Sequence, residues 1–270
     1  MGLTIAGTDP SGGAGIQADI KAFSALGVYA TSIITALVAQ ATQGVRGFVA
    51  VDPDFLRLQW DTLVDDVRID VIKIGMLANA ELADTVADFL DQGITDDVVL
   101  DPVMVATSGD RLLDDRATDA VRRLCRKAAL ITPNLPEAAV LLDRDAATTA
   151  GQLRDEAHRL LDTGVPRVLL KGGHLSEARS IDIYADQDGL VELDAPRIDT
   201  TNSHGTGCTL SSAIAAFRAR GASWPDACQL AKQWLTEALR TANTLQVGKG
   251  SGPVHHFHQI WHDELGGPHA

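Results

Sequence analysis

The sequence lacks most of what would mark a secreted, membrane or nucleic-acid-binding protein. Its only cysteines are Cys125, Cys208 and Cys228, and no CxxC pair occurs. An odd, unpaired set argues against a disulfide framework or a zinc ribbon, so a reducing cytoplasm is expected. Basic residues are scarce: 23 Lys and Arg stand against 36 Asp and Glu, giving a net charge of −13. That balance argues against a general polyanion binder, and no nucleic-acid partner is expected. No uncharged apolar run approaches the length of about 18 residues that a spanning helix needs. The N-terminus, Met1-Gly-Leu-Thr-Ile-Ala-Gly7, has no basic n-region. Neither a membrane span nor a signal peptide is expected. The P-loop G-x-x-x-x-G-K-[ST] is absent, as are the HRD and DFG motifs of protein kinases.

What remains is an ordinary globular composition. Apolar residues are 45% and charged residues 22% of 270, enough for a sizeable core. Short apolar runs alternate with longer amphipathic segments. Strands are predicted at Leu3–Gly7, Thr31–Val38, Val71–Ile74, Val98–Asp101, Leu130–Thr132 and Val168–Lys171. Helices are predicted at Ala14–Leu26, from Pro53 to about Asp66, Glu81–Leu90, Asp115–Lys127, from Pro136 onward, Gly151–Asp162, Thr206–Arg220 and Pro225–Thr241. Gly47–Val51 either extends the second strand or pairs with it. A hairpin is expected across Asp186-Gln-Asp-Gly189, between Ser180–Tyr184 and Leu190–Leu193. This alternation implies a mainly parallel sheet covered by helices on both faces, in one domain spanning 1–270. Ligands in such sheets sit beyond the carboxyl ends of the strands. The loops Thr8–Gly13, Gly75–Leu77, Asp101–Asp110, Thr132–Glu137 and Lys171–His174 should therefore converge on one rim.

Several of these loops carry chemistry. Gly205-Thr-Gly-Cys208 precedes a strongly helical run. Its N–H groups would lie at a helix N-terminus, where free donors and the helix dipole favour negative charge. Such a nest suits a transferring phosphoryl group. The same field lowers a thiol's pKa, which makes Cys208 a candidate base. A plain glycine-rich turn with a small buried cysteine accounts for the local sequence equally well. Asp101 ends a strand and Glu137 starts a helix; either can serve Mg²⁺ on phosphates, or Glu137 can be an ordinary first-turn acid. Lys171, at a strand end before two glycines, can be a point charge on phosphate or part of a plain turn. Asp19, one turn into its helix, either faces the site or is a solvated carboxylate.

Gly13-Ala-Gly-Ile-Gln-Ala18 has the G-x-G-x-x-A spacing of a dinucleotide fingerprint. The loop before it is long for that motif, and no acid stands about 20 residues on, where Ser32-Ile-Ile-Thr-Ala-Leu-Val38 lies. A loop over Gly12–Gly15 that closes on a small substrate is the preferred reading. Val254-His-His-Phe-His-Gln-Ile-Trp-His262 resembles a metal tract, but it has no HExxH and no supporting carboxylate pattern beyond Asp263. Packing, or a closing helix, is the expected role.

Taken in order, the motifs resemble hydroxymethylpyrimidine/phosphomethylpyrimidine kinase of thiamin biosynthesis, within the ribokinase-like superfamily. They are Thr4–Asp19, Lys73-Ile-Gly-Met-Leu77, Asp101-Pro-Val-Met104, Ile131–Ala138, Lys171-Gly-Gly-His174, His204–Leu210 and Gly248–His256. The resemblance implies a ribokinase-like three-layer α/β fold, a homodimer, and Mg²⁺-dependent transfer from ATP to 4-amino-5-hydroxymethyl-2-methylpyrimidine and then to its monophosphate. It places the pyrimidine contacts at Gly7, Asp19, Gln40, Met76 and Val103. It places phosphate and ATP binding at Lys171, Asn134, Gly205, Thr206 and Gly207, the metal at Asp101 and Glu137, and catalysis at Cys208. Gln40 stands where some members have Glu, and Ala41 where Asn is common. Pyridoxal kinase activity is the alternative on the same scaffold. An NAD-dependent oxidoreductase and a non-catalytic pyrimidine sensor are the rivals from other classes.

Overall fold

The computed structural model describes residues 1–104, 115–173 and 179–261. His174, His262, Asp263 and the part of the Asp101–Asp110 loop after Met104 lie outside the described residues. The strands are β1 (Gly2–Gly7), β2 (Ala30–Ala41), β3 (Gly44–Ala50), β4 (Val71–Ile74), β5 (Val98–Leu100), β6 (Leu130–Ile131), β7 (Val168–Lys171), β8 (Arg179–Asp186) and β9 (Gly189–Pro196). The helices are α1 (Gly15–Ala25), α2 (Pro53–Val64), α3 (Ala80–Asp91), α4 (Asp115–Cys125), α5 (Leu135–Leu142), α6 (Ala150–Asp162), α7 (Thr206–Ala219) and α8 (Trp224–Arg240).

All described strands join one sheet in the order β3-β2-β1-β4-β5-β6-β7-β8-β9. From β2 to β7 every neighbouring pair is parallel; β3, β8 and β9 pair antiparallel at the two edges. The central strands are buried on both faces and so read as continuous apolar runs. Their alternate residues divide the core in two. Val71, Val99, Leu130 and Leu169 face α1, α7 and α8, packing on Phe23, Leu210, Ile214 and Trp234. Ile72, Ile74, Leu100, Ile131, Val168 and Leu170 face α2 to α6, packing on Trp60, Leu82, Phe89, Leu124 and Leu153. This is the three-layer α/β/α sandwich of the ribokinase-like fold.

Local sequence fixes the helix starts. Asp52, Asn79 and Ser223 accept hydrogen bonds from the first-turn amides of α2, α3 and α8, satisfying donors that a helix leaves free. Pro53 and Pro225 stand in first turns, where no N–H is needed. The strand β2 runs past the expected end at Val38, because β3 pairs with it antiparallel from Ala36 to Ala41. The pair forms an arm beyond the sheet rim. Its tip is tied down at Thr42, whose Oγ1 accepts from the Lys249 and Gly250 amides at 3.2 and 3.1 Å. Among the described residues no helix is long and apolar enough to cross a membrane.

Candidate active site

The carboxyl ends of β1, β2, β4, β5, β6 and β7 share one rim. The chain goes from β1 to β2 on one side, then crosses to β4 on the other. That reversal leaves a crevice between the ends of β1 and β4. Gly7 lies at its floor: a Cβ there would sit 3.4 Å from Val38 Cγ2 and 3.6 Å from Met76 Sδ. Thr35 Oγ1 donates to the Met76 carbonyl at 2.8 Å, and the Val38 amide donates to Thr8 Oγ1 at 2.9 Å. Gly7, Val38 and Met76 are thus held against one another. Gln40, half-buried two residues beyond Val38, approaches His204 with 3.5 Å between side-chain nitrogens. Val103, on the neighbouring loop, is half-buried, and its amide donates to the Asp101 carbonyl at 2.8 Å.

Two helix N-termini meet beside this crevice. Gly205 caps α7 in the left-handed region, at φ 76°. A side chain there would overlap the Gly13 carbonyl, so only glycine fits both the conformation and the space. The Gly15 amide, opening α1, hydrogen-bonds the Cys208 sulfur in the first turn of α7. Gly207 lies against a charge pair: a Cβ added to it would stand 3.3 Å from both Asp101 Oδ2 and Lys171 Nζ. Lys171 Nζ donates to Asp101 Oδ1 at 2.8 Å, and Thr132 Oγ1 donates to the same oxygen at 3.0 Å. The Lys171 amide in turn donates to the Pro133 carbonyl at 2.9 Å. Asn134 and Glu137 form a capping box on α5, with bonds of 2.9 and 2.8 Å. Gly205, Thr206, Gly207, Cys208, Asp101, Lys171, Asn134 and Glu137 are therefore assembled from separate loops at one end of the sheet.

The electrostatics differ from what helix geometry alone suggests. Burial pushes the Cys208 thiol up to about 11; Lys73 pulls the other way, while Asp19 and Asp101 add to the rise. Desolvation thus outweighs the helix N-terminus, and the expected depression of the thiol is not found. Burial also pushes Glu137 up to about 7; Lys171 opposes this, Asp101 reinforces it, and amide bonds from Asn134 and Met104 oppose it. Burial works against the charge of Lys171, but Asp101 and Glu137 hold its pKa above the ordinary lysine range.

Asp19 is neither exposed nor open to the crevice. It is fully buried with Lys73, which contacts both carboxylate oxygens at 2.8 and 2.9 Å. Thr4 Oγ1 donates to Oδ2 at 2.6 Å and Ser212 Oγ to Oδ1 at 2.7 Å. This network ties α1, β1, β4 and α7 together beneath Cys208. A direct bond from Asp19 to a bound ring would require exchanging one of these partners. Sequence reasoning gave Lys73 no role. The signal was available: a lysine inside the apolar strand Val71-Ile-Lys-Ile74 needs a buried carboxylate.

The Gly12–Gly15 loop, expected to close over substrate, is pinned. Asp9 accepts from the Ser11 amide and hydroxyl, from the Gly13 and Ala14 amides at 3.1 and 2.8 Å, and lies 2.8 Å from His204 Nε2. Burial would raise the Asp9 carboxyl, yet the bonds from His204, Ser11 and Ala14 bring it down to about 2. Lys21 Nζ donates to the Gly12 carbonyl at 2.7 Å. His204 packs on Gly13 and its amide donates to the Gly252 carbonyl at 3.0 Å. The glycines of Gly13-Ala-Gly-Ile-Gln-Ala18 thus serve this seam rather than a dinucleotide turn. Motif reading gave Asp9 and His204 no role, although their contact ties this loop to the start of α7.

Among the described residues, no group of three or more His, Cys, Asp or Glu side chains is placed to hold a metal ion. In the histidine tract, His255 and His256 are buried; His256 bonds Thr209 at 3.0 Å and its ring lies near that of Trp234. Asp101, beside Gly207, and Glu137, which interacts electrostatically with Asp101 and Lys171, offer hard oxygen donors. That set suits Mg²⁺ retaining waters and phosphate oxygens, not an ion caged by protein.

A sheet crevice beside paired helix N-termini, a lysine and two buried carboxylates defines a small-molecule phosphotransferase on a three-layer α/β/α scaffold. The family model for phosphomethylpyrimidine kinase matches residues 9–255. The chain is 54% identical over 260 residues to a hydroxymethylpyrimidine/phosphomethylpyrimidine kinase of Salmonella typhimurium, covering 96% of this chain and 98% of that one. It is 44% identical over 256 residues to a thiamine biosynthesis bifunctional protein of Geobacter sulfurreducens, covering 94% of this chain and 52% of that longer one. The crystal structure of an ADP complex of Bacillus subtilis pyridoxal kinase superposes with a TM-score of 0.87 at 33% identity, covering 94% and 96% of the two chains. The chain belongs to the phosphomethylpyrimidine kinase family.

Proposed function

We propose that this chain transfers the γ-phosphoryl group of ATP to 4-amino-5-hydroxymethyl-2-methylpyrimidine and then to the resulting monophosphate, giving the diphosphate for thiamin biosynthesis. The observation that carries the reading is Gly207, wedged against the Asp101–Lys171 pair at a helix N-terminus, next to the crevice of Gly7, Met76 and Gln40. The ring lies in that crevice with its edge on Gln40, whose amide offers both a donor and an acceptor. Met76 and Val103 contact its faces. Gly205, Gly207 and Cys208 present backbone N–H groups to the oxygens of the phosphoryl group in flight, while the Thr206 amide donates to the Ser203 carbonyl at 3.3 Å and leaves its hydroxyl for that role. Lys171 and Asn134 face the nucleotide phosphates.

Asp101 and Glu137 would hold Mg²⁺, which neutralises charge on the phosphate oxygens when bound. In each step the bond from the γ-phosphorus to the β–γ bridging oxygen breaks and a bond to the acceptor oxygen forms. The first acceptor is an alcohol that must lose a proton. The second is a phosphate monoester, already mostly dianionic at pH 7 with a second pKa of about 6. The reaction takes place in the cytoplasm, in a homodimer.

Pyridoxal is the second reading, because it also presents a ring CH₂OH and a pyridoxal kinase is a close structural neighbour. A coupled ADP-release assay with hydroxymethylpyrimidine, its phosphate and pyridoxal as acceptors decides between them. The proposal requires the highest kcat/KM with a pyrimidine. Turnover of pyridoxal alone rejects it.

A further inference from the structure

We propose that His204 is a specificity-determining positioning residue. With Asp9 it fixes which way the Gln40 amide faces, and so which hydrogen-bonding edge of a ring the crevice accepts. The inference rests on the proposed pyrimidine site.

Asp9 is a fully buried carboxylate that accepts from the Ser11 hydroxyl and from the Ser11, Gly13 and Ala14 amides. The 2.8 Å approach of His204 Nε2 to Oδ2 adds one more contact. An ionised carboxylate only accepts, so that ring nitrogen carries the hydrogen. The same Nε2 stands 3.5 Å from the terminal group of Gln40. With the amide nitrogen turned inward, two N–H donors face each other. Rotating the amide by half a turn brings Oε1 to that side, where it shares the one ring hydrogen with Asp9 Oδ2 as the longer arm of a three-centre bond, and leaves the NH₂ for the crevice; network chemistry decides between these orientations. His204 cannot rotate away. Its ring is pressed against Gly13, where even a Cβ would lie 2.5 Å from His204 Cδ2, and its backbone is bridged to Pro253.

A free glutamine reads two opposite edges by flipping. A clamped one reads a single edge. With NH₂ toward the ring and Oε1 beside it, Gln40 matches a ring nitrogen acceptor next to an exocyclic amino donor. That is the 4-aminopyrimidine edge. A 4-oxo ring presents a carbonyl acceptor beside an N–H donor, which is the reversed pattern, and the clamp rejects it. An unmatched polar edge in a buried site is the strongest source of discrimination a small pocket has.

The test compares kcat/KM for 4-amino-5-hydroxymethyl-2-methylpyrimidine and its 4-oxo analogue in the wild type, His204→Phe and His204→Gln. Phe keeps the packing on Gly13 but has no N–H; Gln restores a donor. The amino-to-oxo ratio should fall about tenfold or more in His204→Phe, chiefly through KM, and recover in His204→Gln. His204→Asn, whose shorter amide does not reach Gln40, should lose the ratio as Phe does, which covers the case of a Phe variant that does not fold. A ratio unchanged in the Phe and Asn variants, with both substrates slowed equally, overturns the inference alone. A wild type silent on both pyrimidines overturns the proposed function and the inference with it.

Discussion

Replacing Cys208 by alanine separates two roles that the first turn of α7 could give it. If the sulfur takes the alcohol proton, its thiolate population matters. Burial, with Asp19 and Asp101 nearby, holds the thiol at about 11 despite Lys73. With the thiol that far above neutral pH, the thiolate is about one part in 10⁴ at pH 7. A base of that kind would make the first phosphorylation climb about tenfold per pH unit between about 7 and 10. The second step, whose acceptor is already an anion, would stay flat. In the proposed mechanism the backbone N–H groups stabilise the phosphoryl group instead, and each is worth about 10²-fold or more in a preorganised site. Alanine leaves those donors in place. In a loose transition state the alcohol proton departs late, so no strong base is required. Cys208→Ala should therefore lower kcat for both acceptors by similar factors, below about tenfold, and cost about 1 kcal/mol of stability from the lost sulfur packing. The measurement is kcat for each acceptor from about pH 6.5 to 9.5, for wild type and variant. A loss of about a hundredfold or more confined to the first step, with abolition of a rising pH profile, would refute the reasoning.

The remaining expectations concern the scaffold of the site. Lys73→Met leaves the buried Asp19 carboxylate without its cation and should cost about 3–5 kcal/mol in chemical denaturation; the double variant Lys73→Met, Asp19→Leu should recover a good part of that loss, and a loss in the double as large as in the single would count against the pairing. Gly205→Ala puts a side chain at φ 76° into the Gly13 carbonyl and should lower the melting temperature well beyond the ~1–2 kcal/mol that left-handed backbone alone costs; a shift no larger than that would show that the seam yields. Glu137 is raised by burial from an ordinary carboxyl value to about 7, so the folded state holds its proton more tightly than the unfolded chain. Its contribution to stability is complete below about pH 4.5 and is lost as pH rises through about 7. Glu137→Gln should flatten that part of the stability profile without abolishing the α5 cap, because its Oε1 still accepts from Asn134; an unchanged slope between about pH 4.5 and 7 would contradict the assignment.

The layered fold was legible because its strands are buried on both faces. A run such as Val168–Lys171 has no polar alternation and reads directly as a central parallel strand. The far end of β2 was not legible, since residues 39–41 are polar or small and are held in the sheet only by pairing with β3. The proposed phosphate side of the site was visible as glycines and charges at strand ends. Which charges touch was not: Asp101 and Lys171 are 70 positions apart, and only the adjacency of β5, β6 and β7 brings them together. Asp19 shows the opposite difficulty. Helix periodicity could place it inward, but only the packing of β1, β4 and α7 shows that Thr4, Lys73 and Ser212 occupy it. Cys208 shows a third. Its position at a helix start was readable, while the desolvation that reverses the helix effect depends on its tertiary neighbours.

The central claim is two successive transfers at one crevice. Incubating the enzyme with ATP, Mg²⁺ and 4-amino-5-hydroxymethyl-2-methylpyrimidine, and following phosphorus signals together with ADP release, tests it most directly. The expected result is a monophosphate that appears and then gives way to the diphosphate, with two ADP released per pyrimidine consumed. ADP release without any phosphorylated pyrimidine, or no consumption of the alcohol at all, would contradict it.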